Sequence, residues 1–260
     1  MKAIILAAGQ GTRLHPYTAD RPKCLVELAG KTLLAHQTRA LEAAAVSDIT
    51  VVTGYRHELI GDLGLQSVHN PRYAQTNMVV SMMCAAHLFE GDSDLLVVYG
   101  DLVFEPRVIR KLLDSKRDFA TTVDDDWLAL WKLRAEDPLG DAETLRISPQ
   151  GDILELGNRP RSLEEIDSQY MGLIKFSAGF APQVERHYRA LRADPACDPG
   201  SLDQMYMTSF LQQLIDRGHA LQAVRIRSGW LEVDSVADLE LYNRMAVDGT
   251  LSRFVSLEEA

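Results

Sequence analysis

The feature that most constrains this chain is a continuous apolar run near its start, Ala3-Ile4-Ile5-Leu6, which passes through Ala7 and Ala8 directly into Gly9-Gln10-Gly11. A run that is apolar at every position, rather than at alternate ones, fits a strand buried on both faces, as in a parallel sheet covered by helices. Two glycines directly after such a strand let the main chain approach a phosphate closely and turn its N–H donors toward the anion. Arg13, Arg21 and Lys23 then gather positive charge in a chain that is otherwise acidic, with 27 lysines and arginines against 37 acids and a formal net charge of −10. A field of that sign opposes general binding to nucleic acid or to an anionic membrane surface, and leaves a local basic pocket as the place for an anion. A tight turn with solvated basic residues would explain a lone GxG equally well; the arginine and the Pro22-Lys23 pair that follow it favour phosphate binding. The loop is not a Walker loop, since no Lys-Ser/Thr follows the second glycine, and Leu14 breaks the GxGxxG dinucleotide spacing.

The pattern repeats along the first half. Leu33, Leu34, Leu41 and Ala44 mark a helix that leads to the β-branched run Ile49-Thr50-Val51-Val52, closed by Gly54. Met78, Met82, Ala85, Ala86 and Phe89 share one helical face before the run Leu95-Leu96-Val97-Val98, with Asp101 just beyond the expected strand. After a helix around Val108, Ile109, Leu112 and Leu113, strand-like pieces are expected at 120–123, 128–133, 144–147 and 153–156. A helix carrying Met207, Phe210, Leu211, Leu214 and Ile215 follows, and Ser235 with Asp238 three residues on resembles a capping pair that opens a last one. The expected fold is α/β, a Rossmann-like and mostly parallel sheet with flanking helices and a small mixed β region toward the carboxyl end. One domain is expected over residues 1–249, its nucleotide-binding half about 1–117 and its acceptor-binding half about 118–249, with 250–260 a loose tail.

The stretch from Leu6 to Leu25, LAAGQGTRLHPYTADRPKCL, resembles the signature of the nucleotidyltransferases that include sugar-1-phosphate nucleotidylyltransferases and bacterial choline-phosphate cytidylyltransferases. The resemblance extends to Val52-Thr53-Gly54-Tyr55, Tyr99-Gly100-Asp101 and Glu232-Val233-Asp234, so it covers most of the chain. It implies the nucleotide-diphospho-sugar transferase type of fold. It also implies that a loop of Leu6, Ala7, Ala8, Gly9, Gly11 and Thr12, with Gly54, holds a nucleoside triphosphate, that Arg13 and Lys23 act on the reacting phosphates, and that Asp101 and Asp234 bind magnesium. Independently of the family, Mg2+ prefers a few hard oxygen ligands with phosphates completing its shell, and both aspartates fall where strand ends open in a parallel sheet. Each aspartate taken alone also reads as a turn or N-cap residue. The segment Asn70-Pro71-Arg72-Tyr73-Ala74-Gln75-Thr76-Asn77-Met78-Val79-Val80-Ser81 resembles the cytidylyltransferase branch, placing Thr76, Asn77 and Ser81 near the base. Read by themselves, Asn77 is equally a helix N-cap and Ser81 a small packing residue.

The acceptor site is less legible. Asp124-Asp125-Asp126-Trp127 with Trp131 combines carboxylates and indoles, a chemistry that holds an ammonium group such as that of phosphocholine or 2-aminoethylphosphonate. Three consecutive aspartates are also a common solvated turn, and the two tryptophans are spaced for packing on one helical or strand face. Tyr170 and Asp203, with Tyr206 beside it, complete the acceptor candidates. The expected reaction is magnesium-dependent transfer of CMP from CTP to a small phosphate or phosphonate monoester. The alternatives are a sugar-1-phosphate nucleotidylyltransferase and, from a different class, a protein that senses nucleotide without turnover. Expected partners are CTP and the acceptor, with a homodimer left open and neither nucleic acid nor membrane insertion expected. The three cysteines, Cys24, Cys84 and Cys197, show no CxxC spacing and read as reduced thiols, and with no signal-length apolar segment this points to a cytoplasmic location. The seven histidines show neither HxH nor HExxH spacing, and no serine lies in GxSxG, so zinc and hydrolase-elbow chemistry are not indicated.

Overall fold

The computed structural model describes residues 1–257. The apolar run forms the strand Lys2–Ala7, whose side chains alternate between two cores: Ala3, Ile5 and Ala7 enter one, Ile4 the other. Asp48–Thr53 and Leu95–Tyr99 flank it as parallel neighbours, and Gln66–His69 lies parallel beside Asp48–Thr53 at the edge. Each fully buried valine or isoleucine on these strands contributes roughly 1.5–3 kcal/mol of transfer free energy, which is why a run apolar on both faces stays in the middle of a sheet.

Beyond Leu95–Tyr99 the nine-stranded sheet becomes mixed. Gln169–Phe176 is antiparallel both to Leu95–Tyr99 and to Phe119–Asp124. Leu221–Ile226 then runs parallel to Phe119–Asp124, and Asp152–Leu156 with Leu145–Ile147 completes the order as antiparallel strands. The pairing of Gln169–Phe176 shifts register between Tyr170 and Ile174, and Gly172 lies in this stretch at φ 83°. A Cβ there would stand 2.6 Å from the Tyr99 ring, so glycine permits both the left-handed backbone and the close approach of the two strands.

Helices cover both faces. Leu33–Ala43, Pro106–Leu113, Trp127–Arg134 and Val236–Val247 bury apolar side chains in the first core, while Met78–Cys84, Ala181–Ala193 and Met207–Asp216 pack in the second. Their starts are chemically marked. Thr32 accepts a bond from Ala35 N, and Ser235 with Asp238 forms a complete capping box.

Three expectations are corrected. Residues 128–133 lie in the helix Trp127–Arg134, not a strand, because Trp127, Leu130 and Trp131 follow helical spacing onto one core and the two indoles meet edge-on at 5.8 Å. The helical face that starts at Met78 is broken at Ala85, where the α-helix gives way to a 3-10 turn, Ala86–Phe89. The chain after residue 249 is not loose as far as it is described: Leu251 and Val255 are buried, Gly229 N donates to Phe254 O and Ser256 N donates to Glu105 Oε1. The last part of that expected tail, residues 258–260, lies outside the described residues.

One short ladder and one hydrogen bond beside it position the site. Leu102–Phe104 pairs antiparallel with Trp230–Glu232, opposing Leu102 to Glu232, and Val233 N donates to Asp101 O at 3.0 Å. Residues separated by more than 130 positions in sequence thereby arrive side by side at the carboxyl edge of the parallel strands, where ligands bind in open α/β sheets.

Candidate active site

The glycine loop leaves Lys2–Ala7 at that edge. Gly11 adopts φ 73°, and a Cβ on it would lie 2.8 Å from Lys23 Cβ, so the absence of a side chain lets the lysine stem lie across the loop. Gly54 acts differently from expectation in place, standing beneath the loop rather than lining the cavity. A Cβ there would come within 2.4 Å of Ala8 O, and Tyr55 N donates to that same carbonyl at 3.0 Å.

The loop forms one wall of a cavity of about 300 Å³. Leu6, Ala7, Ala8, Gly9, Gly11, Thr12, Arg13 and Lys23 line it on one side, Thr76, Asn77 and Ser81 on another, and Asp101 and Asp234 at one end. The Thr76–Ser81 wall is pinned from behind by the buried side chain of Asn70, whose Nδ2 donates to Thr76 Oγ1 and to Ser81 Oγ at 3.0 Å each. Asn77 also caps its helix by accepting from Met78 N, so the cap and the cavity-lining role belong to one residue.

Charges concentrate where the cavity ends. Lys23 Nζ donates to Asp101 Oδ2 at 2.9 Å and to Asp234 Oδ1 at 2.8 Å, and Arg13 reaches Asp234 Oδ2 at 2.5 Å. Burial works against the charge on Lys23, but Asp101 and Asp234 override it and hold the ammonium above its ordinary pKa. Burial likewise opposes the Asp234 carboxylate, and Lys23 and Arg13 prevail, keeping it below the usual range. Glu232, two residues before Asp234, has its carboxyl pushed up to about 7 by burial and by the charge of Asp101, with Arg134 and Lys23 pulling the other way. Arg134 donates to Glu232 Oε2 at 2.9 Å and to Asp238 Oδ1 at 3.1 Å, and Asp238 Oδ2 in turn accepts from Asp234 N and Ser235 N. The capping box that starts the last helix thus also fixes the main chain at Asp234.

Oxygens of Asp101, Glu232 and Asp234 all lie within 4.8 Å of one another, and Asp101 Oδ1 is buried with no hydrogen-bond partner. A set of carboxylate oxygens with one acceptor unused suits a hard divalent cation such as Mg2+, with phosphate oxygens completing its shell. The residues present fit that group.

A second cavity, of about 280 Å³, adjoins the first and shares Arg13, Met78, Tyr99 and Asp234 with it. Of the acceptor candidates, Trp131, Tyr170 and Tyr206 line it. Tyr170 Oη donates to Tyr99 Oη at 3.2 Å, and burial raises the pKa of both phenols. Asp124, Trp127 and Asp203 line neither cavity. The Asp124 carboxylate is 1% exposed and spent inside the protein, accepting from Trp230 Nε1 at 2.8 Å, Ser228 N at 3.0 Å and Asp126 N at 2.9 Å, while burial raises its pKa. It holds in place an indole, Trp230, that does line the second cavity. Trp127 backs Trp131, and Asp203 pairs with Arg72 and Arg192.

Sequence reasoning named Tyr99 and Glu232 only within the motifs of Asp101 and Asp234, with no role of their own, and did not name Glu143 or Thr208; all four line the second cavity. Glu143 is half-buried beside Asp141, and burial first, then that neighbour, raises its carboxyl pKa. Glu232 carried a readable signal, an acid at the end of an apolar stretch and two residues from Asp234. Glu143 and Thr208 carried none, because their neighbours in space come from remote segments.

A mostly parallel sheet with a glycine loop, a lysine and carboxylates at its carboxyl edge defines a phosphate-handling transferase site, and comparison with known proteins agrees. The chain belongs to the family described as the MobA-like NTP transferase domain, which matches residues 3–150. It is 40% identical over 250 residues, 93% of this chain and 98% of the relative, to the CTP:phosphoglutamine cytidylyltransferase of Campylobacter jejuni. Over a shorter stretch of 86 residues, 32% of this chain and 38% of the relative, it is 42% identical to the choline-phosphate cytidylyltransferase of Streptococcus pneumoniae. The solved structure of a CTP:phosphocholine cytidylyltransferase from Streptococcus pneumoniae superposes with a TM-score of 0.71 at 21% identity, covering 94% of this chain and 98% of that one, which shows the shared fold. The chain is a nucleotidyltransferase.

Proposed function

We propose that this nucleotidyltransferase moves CMP from CTP to a small acceptor that bears a phosphate or phosphonate and an ammonium group, with release of pyrophosphate. The observation that carries the reading is the pair of adjoining cavities, joined at Arg13, Tyr99 and Asp234, with Lys23 set between two carboxylates at the junction. The loop N–H groups and Arg13 suit the triphosphate, and Thr76, Asn77 and Ser81 stand where the nucleoside would lie. The acids Asp141 and Glu143, with the faces of Trp131 and Tyr170, suit a positively charged acceptor end. Support for cytidine over other bases comes from the relatives named for CTP.

An acceptor phosphate is already substantially dianionic near pH 7, its second pKa lying at about 6, so no side chain has to remove a proton. One of its oxygens attacks the α-phosphorus, the new P–O bond forms in line, and the bond to the bridging oxygen of pyrophosphate breaks, with its electron pair leaving on pyrophosphate. The protein's task is to hold two anions together and neutralise the charge that builds on the phosphoryl oxygens. Lys23, drawn from the aspartates toward phosphate oxygens, stabilises the α-phosphoryl group, and Arg13 stabilises the leaving pyrophosphate. Asp101 and Asp234, with Glu232 beside them, would hold Mg2+, which supplies further neutralisation of the triphosphate. The expected location is the cytoplasm; among the described residues no helix is long and apolar enough to cross a membrane.

The test is pyrophosphate release with Mg2+ and each of the four ribonucleoside triphosphates and dTTP, against phosphoglutamine, phosphocholine, 2-aminoethylphosphonate and a set of sugar 1-phosphates. Release with CTP and an ammonium-bearing acceptor supports the proposal. Release only with UTP or dTTP and a sugar phosphate overturns the acceptor and base assignments and keeps the catalytic ones. Nucleotide binding with no release under any pairing favours a sensing role.

A further inference from the structure

Asp203 lines neither cavity, yet its surroundings connect both. Its carboxylate takes one arginine on each oxygen: Arg72 from the segment that leads to Thr76 and Asn77, and Arg192 from the helix Ala181–Ala193. Arg192 is itself held, its guanidinium lying 5.4 Å from the centre of the Tyr188 ring and its Nε donating to Tyr188 Oη at 2.9 Å. The main chain adds to these ion pairs. Asn77 N donates to Asp203 O at 2.7 Å, Asn77 Nδ2 to Gln204 O at 3.3 Å, and Gln204 Nε2 to Gln75 O at 2.8 Å. Three residues after Asp203 comes Tyr206, an exposed tyrosine that lines the second cavity, followed by Met207 and Thr208 on the same wall.

We infer that Asp203 is a positioning residue that fixes the Thr76–Asn77 wall of the nucleotide cavity to the Tyr206–Thr208 wall of the second cavity, so that nucleotide affinity depends on a residue that touches neither substrate. The inference rests on the reading of the first cavity as the CTP site. Without the paired carboxylate, Arg72 loses its anchor, and the segment after Asn70 keeps the bonds of the Asn70 side chain, the Asn77 N–Asp203 O bond and the two bonds to Gln204. Charge-assisted bonds to a carboxylate are stronger than neutral ones, but Arg72 is half exposed and partly screened, so the effect is graded rather than absolute. Because the strap continues into the second cavity, loosening it reaches the acceptor as well.

The experiment compares Asp203→Asn, Asp203→Glu and Arg192→Met with the wild type. Calorimetric titration with CTP and Mg2+ in the absence of acceptor is followed by KM and kcat for both substrates. Asp203→Asn is expected to weaken CTP binding about tenfold, the factor that corresponds to 1.4 kcal/mol, and to raise the acceptor KM about threefold, leaving kcat within about twofold. Asp203→Glu, which keeps the charge, recovers part of the CTP affinity, and Arg192→Met gives a smaller loss. If Asp203→Asn lowers the unfolding midpoint substantially, Arg72→Met, which removes only the more exposed partner, carries the same comparison. A rise in acceptor KM with unchanged CTP affinity would make Asp203 an acceptor ligand and overturn the inference, as would unchanged values for both substrates. Wild-type binding of UTP or dTTP in place of CTP defeats the proposed base preference instead, and titration of the same variants with that nucleotide then decides the role of Asp203.

Discussion

The two cavities are built in opposite ways. The first cavity is made largely of short local segments: 6–13, 73–81 and 99–101 lie at the carboxyl end of a parallel strand or in the structure that follows it, and 23–24 lie in the 3-10 turn Lys23–Leu25. The second cavity draws on more scattered places, isolated residues such as Trp131 and Glu143 beside the short runs 169–172 and 206–208, on helices, on the mixed part of the sheet, on the short ladder that holds Trp230 and on the loops between. A contiguous loop fixes its own geometry through local backbone chemistry. A wall assembled from distant segments depends on long-range packing, which leaves it free to change its contacts without disturbing the phosphate site.

That contrast orders what substitution should do. Lys23→Ala removes the cation at the junction, and turnover should fall by about 10²–10³ or more, the scale of a lost transition-state donor, with every nucleotide and acceptor alike. Its unfolding midpoint, measured beside turnover, should fall, because Asp101 and Asp234 lose the cation between them, while the variant still folds, and normal turnover in the folded variant would remove Lys23 from the mechanism. Gly11→Ala should cost nearly as much activity, because its Cβ collides with the Lys23 stem at a backbone angle that disfavours a side chain. A wild-type rate in that variant would show that the loop adjusts and that its geometry is less local than the contrast requires.

Glu232 sharpens the comparison, since it lines the second cavity two residues from Asp234, which both cavities share. A carboxyl whose folded pKa is raised binds more protons than the unfolded chain between its ordinary value of 4.5 and about 7, so stability falls as pH rises through that window. In the nucleotide- and metal-free protein, Glu232→Gln abolishes that dependence. The difference in melting temperature, variant minus wild type, should therefore rise from pH 5 to pH 8 on top of a constant offset from the lost Arg134 contact. A difference that stays flat with pH would place the Glu232 pKa near its ordinary value. The smallest effect concerns Cys24, which is buried against the first cavity with its thiol pushed up to about 12 by burial. Thiol titration of the native protein should modify Cys84 and Cys197 before Cys24, and early labelling of Cys24 would mean that the first cavity opens more readily than its packing suggests.

The same contrast explains what could be read before the structure. The first strand, the glycine loop, the strands at 49–52 and 95–98 and the capping pair at Ser235 are local patterns, and local patterns survive in a sequence. The helix at Trp127–Arg134 was mistaken for a strand because its two tryptophans satisfy both periods, and only packing against a common core decides between them. Asp124 looked like an ammonium ligand by composition, but its partner is the indole of Trp230, 106 residues away, a contact no spacing rule reports. Glu143 and Thr208 were invisible for the same reason, whereas Glu232 could have been found by its place two residues before Asp234. The insertion of Gln169–Phe176 as an antiparallel strand brings Tyr170 to Tyr99, and its only local trace is Gly172.

The claim that the two cavities divide the substrates is tested most directly by crossed kinetics on one residue from each, Ser81→Ala and Trp131→Leu, with CTP and the preferred acceptor both varied. The account predicts that Ser81→Ala raises the KM for CTP by about three- to tenfold, as for a lost hydrogen bond, with the acceptor KM nearly unchanged, and that Trp131→Leu does the reverse. If Trp131→Leu raises the KM for CTP as much as that for the acceptor, the second cavity is an extension of the nucleotide site and the division fails.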